Sequence, residues 1–402
     1  MFKIVPSPPK SLFITLLGIS FVCLLSSWLT PKKLPDSPPA SIPSFAGRDF
    51  PIYWTAWRIA HTEAPLFESA SYQRMISDPL EASFSLHNPP WTLILFSPLG
   101  GVSYQIALGL WLTFNFACFV FTVFFSLKLF EISLPPPWLL LITAIFPASF
   151  SCLYFGQLTI LLTCAALVLV VCLKTKNDYW AGFCLSWMTI KPHLFFLFLI
   201  PIGLTIIKDR RWAIFTGFLL SFGTILTLLT WIRPLAISDW ITWLGSGHAT
   251  EWSTANLATW VRLLVWHFSN QDILWPVYAI PILSIIVTFF FLLSRNSPKS
   301  WIQYFLVLIP LSLILGPYAW SYDFCLLLPW QAALLAPLLT KTSTSTRIGL
   351  AIVIGVQLIW ILQGTLFSGD MHTFAWFPLI VLLTWLWFSS RFTIIESEDD
   401  RG

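Results

Sequence analysis

The sequence predicts an all-α polytopic membrane protein, a bundle of about twelve transmembrane helices with a long first external loop. Three observations lead there. Of 402 residues, 57% are hydrophobic and 10% are charged, where a soluble domain carries roughly 25% charged residues. Apolar runs of about 17–25 residues recur along the chain, long enough to cross the hydrocarbon core, and mean hydropathy is +0.78. Aromatic residues make up 17%, with 23 Trp and 36 Phe, which suits lipid-facing helices whose ends carry interfacial Trp.

The first apolar run, 11–29, follows Lys3 and Lys10. It is too long for a signal-peptide core and lacks a small-residue cleavage pattern, so a retained anchor is expected. Residues 31–90 are the one long polar stretch and form the predicted external loop. Further spans are expected at 103–127, 138–150, 158–173, 179–190, 192–207, 212–232, 273–293, 301–316, 323–339, 348–363 and 373–390, ahead of a cytoplasmic tail at 391–402. Residues 179–207 read either as one tilted helix or as a hairpin broken at Pro192, which has no N–H to donate. Cations at both ends, Lys174/Lys176 and Lys208/Arg210/Arg211, favour the hairpin, since a single span would put one cluster on the wrong side. With the N-terminus inside, 14 of the 22 Lys and Arg fall on inside segments, as the positive-inside rule requires. Within 233–272, Leu257, Val261, Leu264, Val265 and Phe268 share one helical face with Arg262 off it, the pattern of an interfacial helix. The whole chain, 1–402, reads as a single transmembrane domain.

Several function classes drop out. The net charge of +4 comes without a basic tract, so nucleic acid is not indicated. Seven scattered Cys make no CxxC pair and read as core residues. No G-x-S-x-G, H-E-x-x-H or Walker loop is present, and no two of the six His stand at ligand spacing, so neither a metal nor another cofactor is called for.

What remains are polar residues at the predicted outside turns. Asp49 opens Asp49-Phe50-Pro51-Ile52-Tyr53-Trp54-Thr55-Ala56-Trp57-Arg58. On a helix, Asp49, Tyr53 and Trp57 share a face. Asp49 reads either as a helix cap or as a carboxylate poised to work on a lipid head group. Asn88-Pro89-Pro90 closes the loop and is expected to re-enter as extended chain. Gly156-Gln157 forms another outside turn, where the Gln amide suits a sugar hydroxyl or simply an interfacial polar position. Lys191-Pro192-His193 sets a cation between apolar runs, which calls for an anion nearby, with a lipid phosphate the natural candidate and snorkelling the plainer alternative. In Pro317-Tyr318-Ala319-Trp320-Ser321-Tyr322-Asp323, Asp323 reads equally as a cap or as a lining residue of the same cavity as Asp49.

In the order and topology of these motifs the chain resembles the GT-C class of polyprenyl-phosphate-sugar-dependent glycosyltransferases, and within it glycosyltransferase family 87. The resemblance implies a GT-C-like bundle and a catalytic Asp in the first external loop, which maps onto Asp49. It also implies a polyprenyl-phosphate-linked sugar donor, mannose favoured, and a glycolipid or glycan acceptor. Some members carry a His near the position of Tyr322 or Asp323, which this chain lacks. Lys191, His193, Arg58 and Arg262 are then expected to hold the donor phosphate, and Tyr53, Trp57, Asn88, Gln157, Tyr322 and Asp323 to line the substrate site. A multi-pass enzyme of a prokaryotic plasma membrane, its site facing outward among membrane lipids, follows from the same resemblance. The alternative class is a lipid or solute transporter or flippase, disfavoured because no internal repeat is visible and the candidate charges gather on one side.

Overall fold

The computed structural model describes residues 47–75, 85–130, 132, 137–246, 253–271, 273–294, 300–340, 344–366 and 371–391. The expected opening span at 11–29, the start of the first loop and the tail after Arg391 lie outside these residues. The described fold is all-α, and one buried apolar cluster runs through it from Phe50 to Trp385.

Its axis is α7 (Thr159–Lys174), in which every residue from Thr159 to Leu173 is buried. Its sequence TILLTCAALVLVVCLK is apolar on all sides, the signature of a helix surrounded by other helices. Against it pack α4 (Tyr104–Leu129), α8 (Asp178–Met188), α14 (Trp301–Leu315) and a 3-10 turn at Ser321–Leu327. Outside this group, α10 (Trp212–Ile232) and α13 (Trp275–Ser294) expose Leu219, Leu220, Ile282 and Phe290. By length and composition, α4, α10 and α13 are the three described helices that can cross a membrane, where about twelve spans were expected. Residues 11–29 lie outside the described part, and other runs are divided or short. Pro147 splits the run at 138–150 into α5 (Pro137–Ala144) and α6 (Pro147–Phe155). Several other apolar helices, α9 (Phe196–Lys208) and α14 among them, are shorter than a full crossing.

The 179–207 question resolves as a hairpin. Helix α8 ends at Met188, a 3-10 turn occupies Pro192–Leu194, and α9 follows. Arg211, just before α10, makes a bidentate ion pair with Asp178 at the start of α8, so the chain has returned to the side it left. Helices α8 and α10 lie unusually close. A Cβ on Gly182 would stand 2.1 Å from the Ile214 carbonyl oxygen, and one on Gly217 would stand 2.3 Å from that of Tyr179. This is the small-residue packing that lets helices meet backbone to backbone in lipid. Starting level with α10, the 11 residues of α8 rise roughly 16 Å, whereas the 21 residues of α10 rise roughly 32 Å. Lys191, at the hairpin tip, therefore sits about halfway up α10, far below Arg233 at its upper end.

The predicted first loop is not a free polar excursion. Its helix α1 (Phe50–Ala60) buries every residue but Ile52, and packs on α3 (Leu93–Gly100) with a short α2 (Ser69–Met75) beside it. Re-entry at 88–92 is extended only at Pro89 (ψ 145°), after which Pro90–Thr92 already turns as a 3-10 helix into α3. Beyond α10 come α11 (Ala236–Gly245) and α12 (Leu257–Ser269), and after α14 come α15 (Leu328–Thr340), α16 (Thr344–Leu366) and α17 (Trp376–Arg391). On α12 the expected two-faced pattern holds: Leu257, Leu264 and Phe268 are exposed, while Thr259 and Arg262 are buried.

Candidate active site

The turn before α7 is the hub. Gly156 adopts φ +68° at the C-terminus of α6, a left-handed conformation that glycine reaches without strain. Opposite it stands Gly47 at φ +71°, so close that a Cβ on Gly156 would meet the Gly47 Cα at 2.9 Å. The backbone N–H groups of Gly47 and Asp49 donate to the carbonyls of Tyr154 and Phe155, at 2.7 and 2.9 Å, and pin the start of α1 to the end of α6. Asp49 is the residue before α1, yet its side chain makes no capping hydrogen bond. Instead its Oδ2 accepts from Gln157 Nε2 at 2.5 Å. The plain reading of Asp49 as a cap thus gives way.

Gln157 is almost fully buried, and the other end of its amide is equally committed. Gln157 Oε1 accepts from the Tyr53 hydroxyl at 3.0 Å and from Lys191 Nζ at 3.3 Å. Burial, and next the nearby Asp49 carboxylate, raise the Tyr53 hydroxyl well above its ordinary range, so it is a donor. Two donors on one oxygen leave the amide a single orientation, with its N–H₂ toward Asp49. The Tyr53 hydroxyl also lies 3.5 Å from Asn88 Oδ1.

Lys191 is 5% exposed, and the anion expected beside it is the carboxylate of Asp323, itself fully buried, at 2.7 Å. Its ammonium also donates to Thr159 Oγ1 at 3.1 Å and stands 4.9 Å above the Tyr322 ring. Lysine has three N–H donors, and Gln157, Thr159 and Asp323 take all three. The phosphate-binding role expected for Lys191 therefore meets a filled inventory, and a snorkelling Lys191 is excluded by its burial. Of the two readings given for Asp323 the cap is present, since Oδ2 accepts from the Trp320 backbone N–H at 3.0 Å, while Oδ1 accepts from Lys191 and from the Thr159 hydroxyl, the latter at 2.6 Å. A buried ion pair of this kind persists only with its remaining hydrogen bonds satisfied, which Thr159, Gln157 and Trp320 do here.

Other expected residues lie around this cluster or away from it. The His193 ring rests on Tyr318 at 3.9 Å between centroids. Trp57 is fully buried, packed edge-on to His61 and against Gly100, where a Cβ would collide with its ring. The helical face shared by Asp49, Tyr53 and Trp57 is therefore divided, its first two residues meeting Gln157 and its third meeting α3. Arg58 is buried with its guanidinium 4.5 Å over the Trp54 ring. Arg262 is buried on α12, a helix tied to the Tyr318 loop through Asn256 Nδ2, which donates to the Gly316 carbonyl at 3.1 Å, and the Ala255 N–H, which donates to that of Ala319 at 2.8 Å.

Sequence reasoning missed Thr159. Its signal was available: it is the first residue of an apolar helix and lies two residues after Gln157, where a hydroxyl has no periodic reason to be buried. Among the described residues no group of three or more His, Cys, Asp or Glu stands together as a metal site.

One comparison with known proteins returns a match. The family model described as glycosyltransferase family 87 matches residues 86–317, more than half of the chain. That span contains Asn88, Gln157, Thr159, Lys191, His193 and Arg262, whereas Asp49 and Asp323 lie outside it and are joined to it by the hydrogen bonds above. No curated protein and no solved structure matches.

Proposed function

The chain belongs to glycosyltransferase family 87, and from that premise we propose that it moves a hexose, mannose favoured, from a polyprenyl-phosphate donor to a glycolipid or glycan acceptor, with Asp49 as general base. One observation carries this reading. Four polar residues, Asp49, Gln157, Lys191 and Asp323, scattered over most of an apolar chain, form one hydrogen-bonded cluster, and Asp49 is its partly exposed member.

The chemistry suits a single carboxylate. A sugar on a lipid monophosphate has an anionic leaving group that needs no protonating acid. Asp49 takes the proton of an acceptor hydroxyl as its oxygen bonds to the anomeric carbon; the carbon–phosphate-oxygen bond breaks, its electron pair leaves with the phosphate, and the configuration inverts. Gln157 holds Asp49 through the amide N–H, and the Lys191–Asp323 pair fixes Gln157 from behind. Arg262 and His193 hold the departing phosphate, whereas Arg58, in the last turn of α1, lies at the opposite end of that helix from Asp49. Tyr53, Asn88 and Tyr322 flank the sugar. The enzyme works as one transmembrane unit, its site opening to the external face of a prokaryotic plasma membrane, and needs no cofactor.

Asn at position 49 keeps the shape of the side chain but cannot take the proton. Asp49→Asn is expected to lower transfer by about two orders of magnitude or more, with expression unchanged. The measurement is mass spectrometry of lipid-linked glycans in cells carrying either form. Full activity in Asp49→Asn sinks the assignment.

A further inference from the structure

At the far end of α1 from Asp49 lies a cavity of about 1560 Å³. Glu63, Glu68, His87, Asp239 and Trp243 line it, with Arg233 at its wall. Nothing in the proposed chemistry uses these residues. Their placement is built rather than incidental. Arg233, at the upper end of α10, donates to the Thr62 and Ala64 carbonyls and approaches Asp239 at 3.9 Å, so it ties the chain after α1 to the start of α11. Trp243 carries an aromatic face between Phe67 and His87, with ring centroids 5.9 and 5.4 Å away.

Position links this cavity to the site below. The 11 residues of α1 span roughly 16 Å, from Asp49 beside the hairpin tip to His61 beside Arg233. That length matches the drop from the upper end of α10 to Lys191. His87 lines the cavity while its neighbour Asn88 faces the Tyr53 hydroxyl, so the segment before α3 runs from one space to the other.

Charge decides which substrate the cavity suits. Three carboxylates line the cavity with one guanidinium, which is already engaged with two carbonyls, and burial disfavours the charged form of His61. Such a wall repels a phosphate. Carboxylates, hydroxyls of Ser69 and Thr242, and the half-buried Trp243 ring are instead groups that hold a polyhydroxyl ring.

We propose that this cavity binds the uncharged sugar portion of the acceptor, remote from its reacting hydroxyl, while the donor phosphate is held below. The proposal rests on the glycosyltransferase reading and names the substrate part that enters from the aqueous side.

The test is photolabelling of the full-length protein in detergent with mannotriose and maltotriose, each bearing a diazirine at the reducing end. Label is expected on peptides covering 61–70 and 233–246, suppressed by excess unlabelled trisaccharide and unaffected by inorganic phosphate. Trp243→Ala is expected to cut labelling about tenfold. Glu68→Gln and Asp239→Asn, which keep size, are expected to weaken it without altering the thermal midpoint. Asp49→Asn is expected to label as the wild type does. Labelling confined to other peptides, labelling blocked by phosphate, indifference to all three cavity substitutions, or no labelling by either sugar each overturn the proposal. Normal transfer by Asp49→Asn alongside cavity labelling would instead remove the general base and leave the cavity standing.

Discussion

Gln157 illustrates how much one side chain's orientation depends on its neighbours. Its amide is turned by two donors on the same oxygen, and in the proposed reaction it places Asp49. Gln157→Ala is expected to lower kcat by ten- to about a hundredfold while leaving the acceptor KM near its original value. A rise in KM with kcat preserved would return Gln157 to sugar binding. Lys191 and Asp323 make a second residue-scale claim. Removing one partner leaves a buried charge alone, at a cost of about 3–5 kcal/mol, whereas replacing both with apolar residues removes the problem. Lys191→Met is thus expected to lower the thermal midpoint in detergent markedly, and Lys191→Met with Asp323→Leu to recover much of it. Equal midpoints for Lys191→Met and the wild type would refute the energetic role of the pair. The sequence announced that Lys191 needs an anion. It did not reveal that the anion lies 132 residues downstream, because a polar residue's partner is a matter of packing and not of local pattern.

At the scale of elements, hydrophobic periodicity and cation placement were sufficient for long uninterrupted apolar helices, whether surrounded by others or largely exposed. Helix α7 is found within a residue of 158–173, and α10 coincides with 212–232. Periodicity was insufficient where a run is apolar but interrupted, as at Pro147, and where a polar segment folds inward, as α1 does. Burial of α1 depends on Phe50 and Trp57 meeting α3, α4 and Gly100, contacts made across distant sequence. The α8–α10 contact gives the sharpest element-level test. Gly217→Ala forces a methyl group against the Tyr179 backbone and is expected to destabilise the protein by about 1–3 kcal/mol. Gly223→Ala, on the same helix with open space around it, is expected to be neutral or slightly stabilising. Thermal midpoints of the two variants in one detergent distinguish them, and equal losses would mean that the close approach is not what joins these helices.

For the molecule as a whole, the short hairpin sets the site roughly 16 Å below the upper end of α10, and α1 runs down to meet it. Cysteine labelling checks the arrangement, since the native cysteines among the described residues are all buried. Glu68→Cys, at the cavity, and Lys174→Cys, at the lower end of α7, are expected to react with an impermeant maleimide from opposite sides of the membrane. Reaction from one side would overturn the topology. The Lys191–Asp323 pair also has a consequence during biosynthesis. A ribosome adding about 5–20 residues per second needs roughly ten seconds to travel from Lys191 to Asp323. Through that interval the hairpin holds an ammonium whose counter-ion has not been made, and a lone charge is costly in hydrocarbon. The nascent hairpin has reason to stay at the insertion machinery, near water, until the Tyr318–Asp323 segment emerges. A chain ending before Asp323 then leaves α8 and α9 unsettled, so closure of the site and final insertion of its central helices become the same late event.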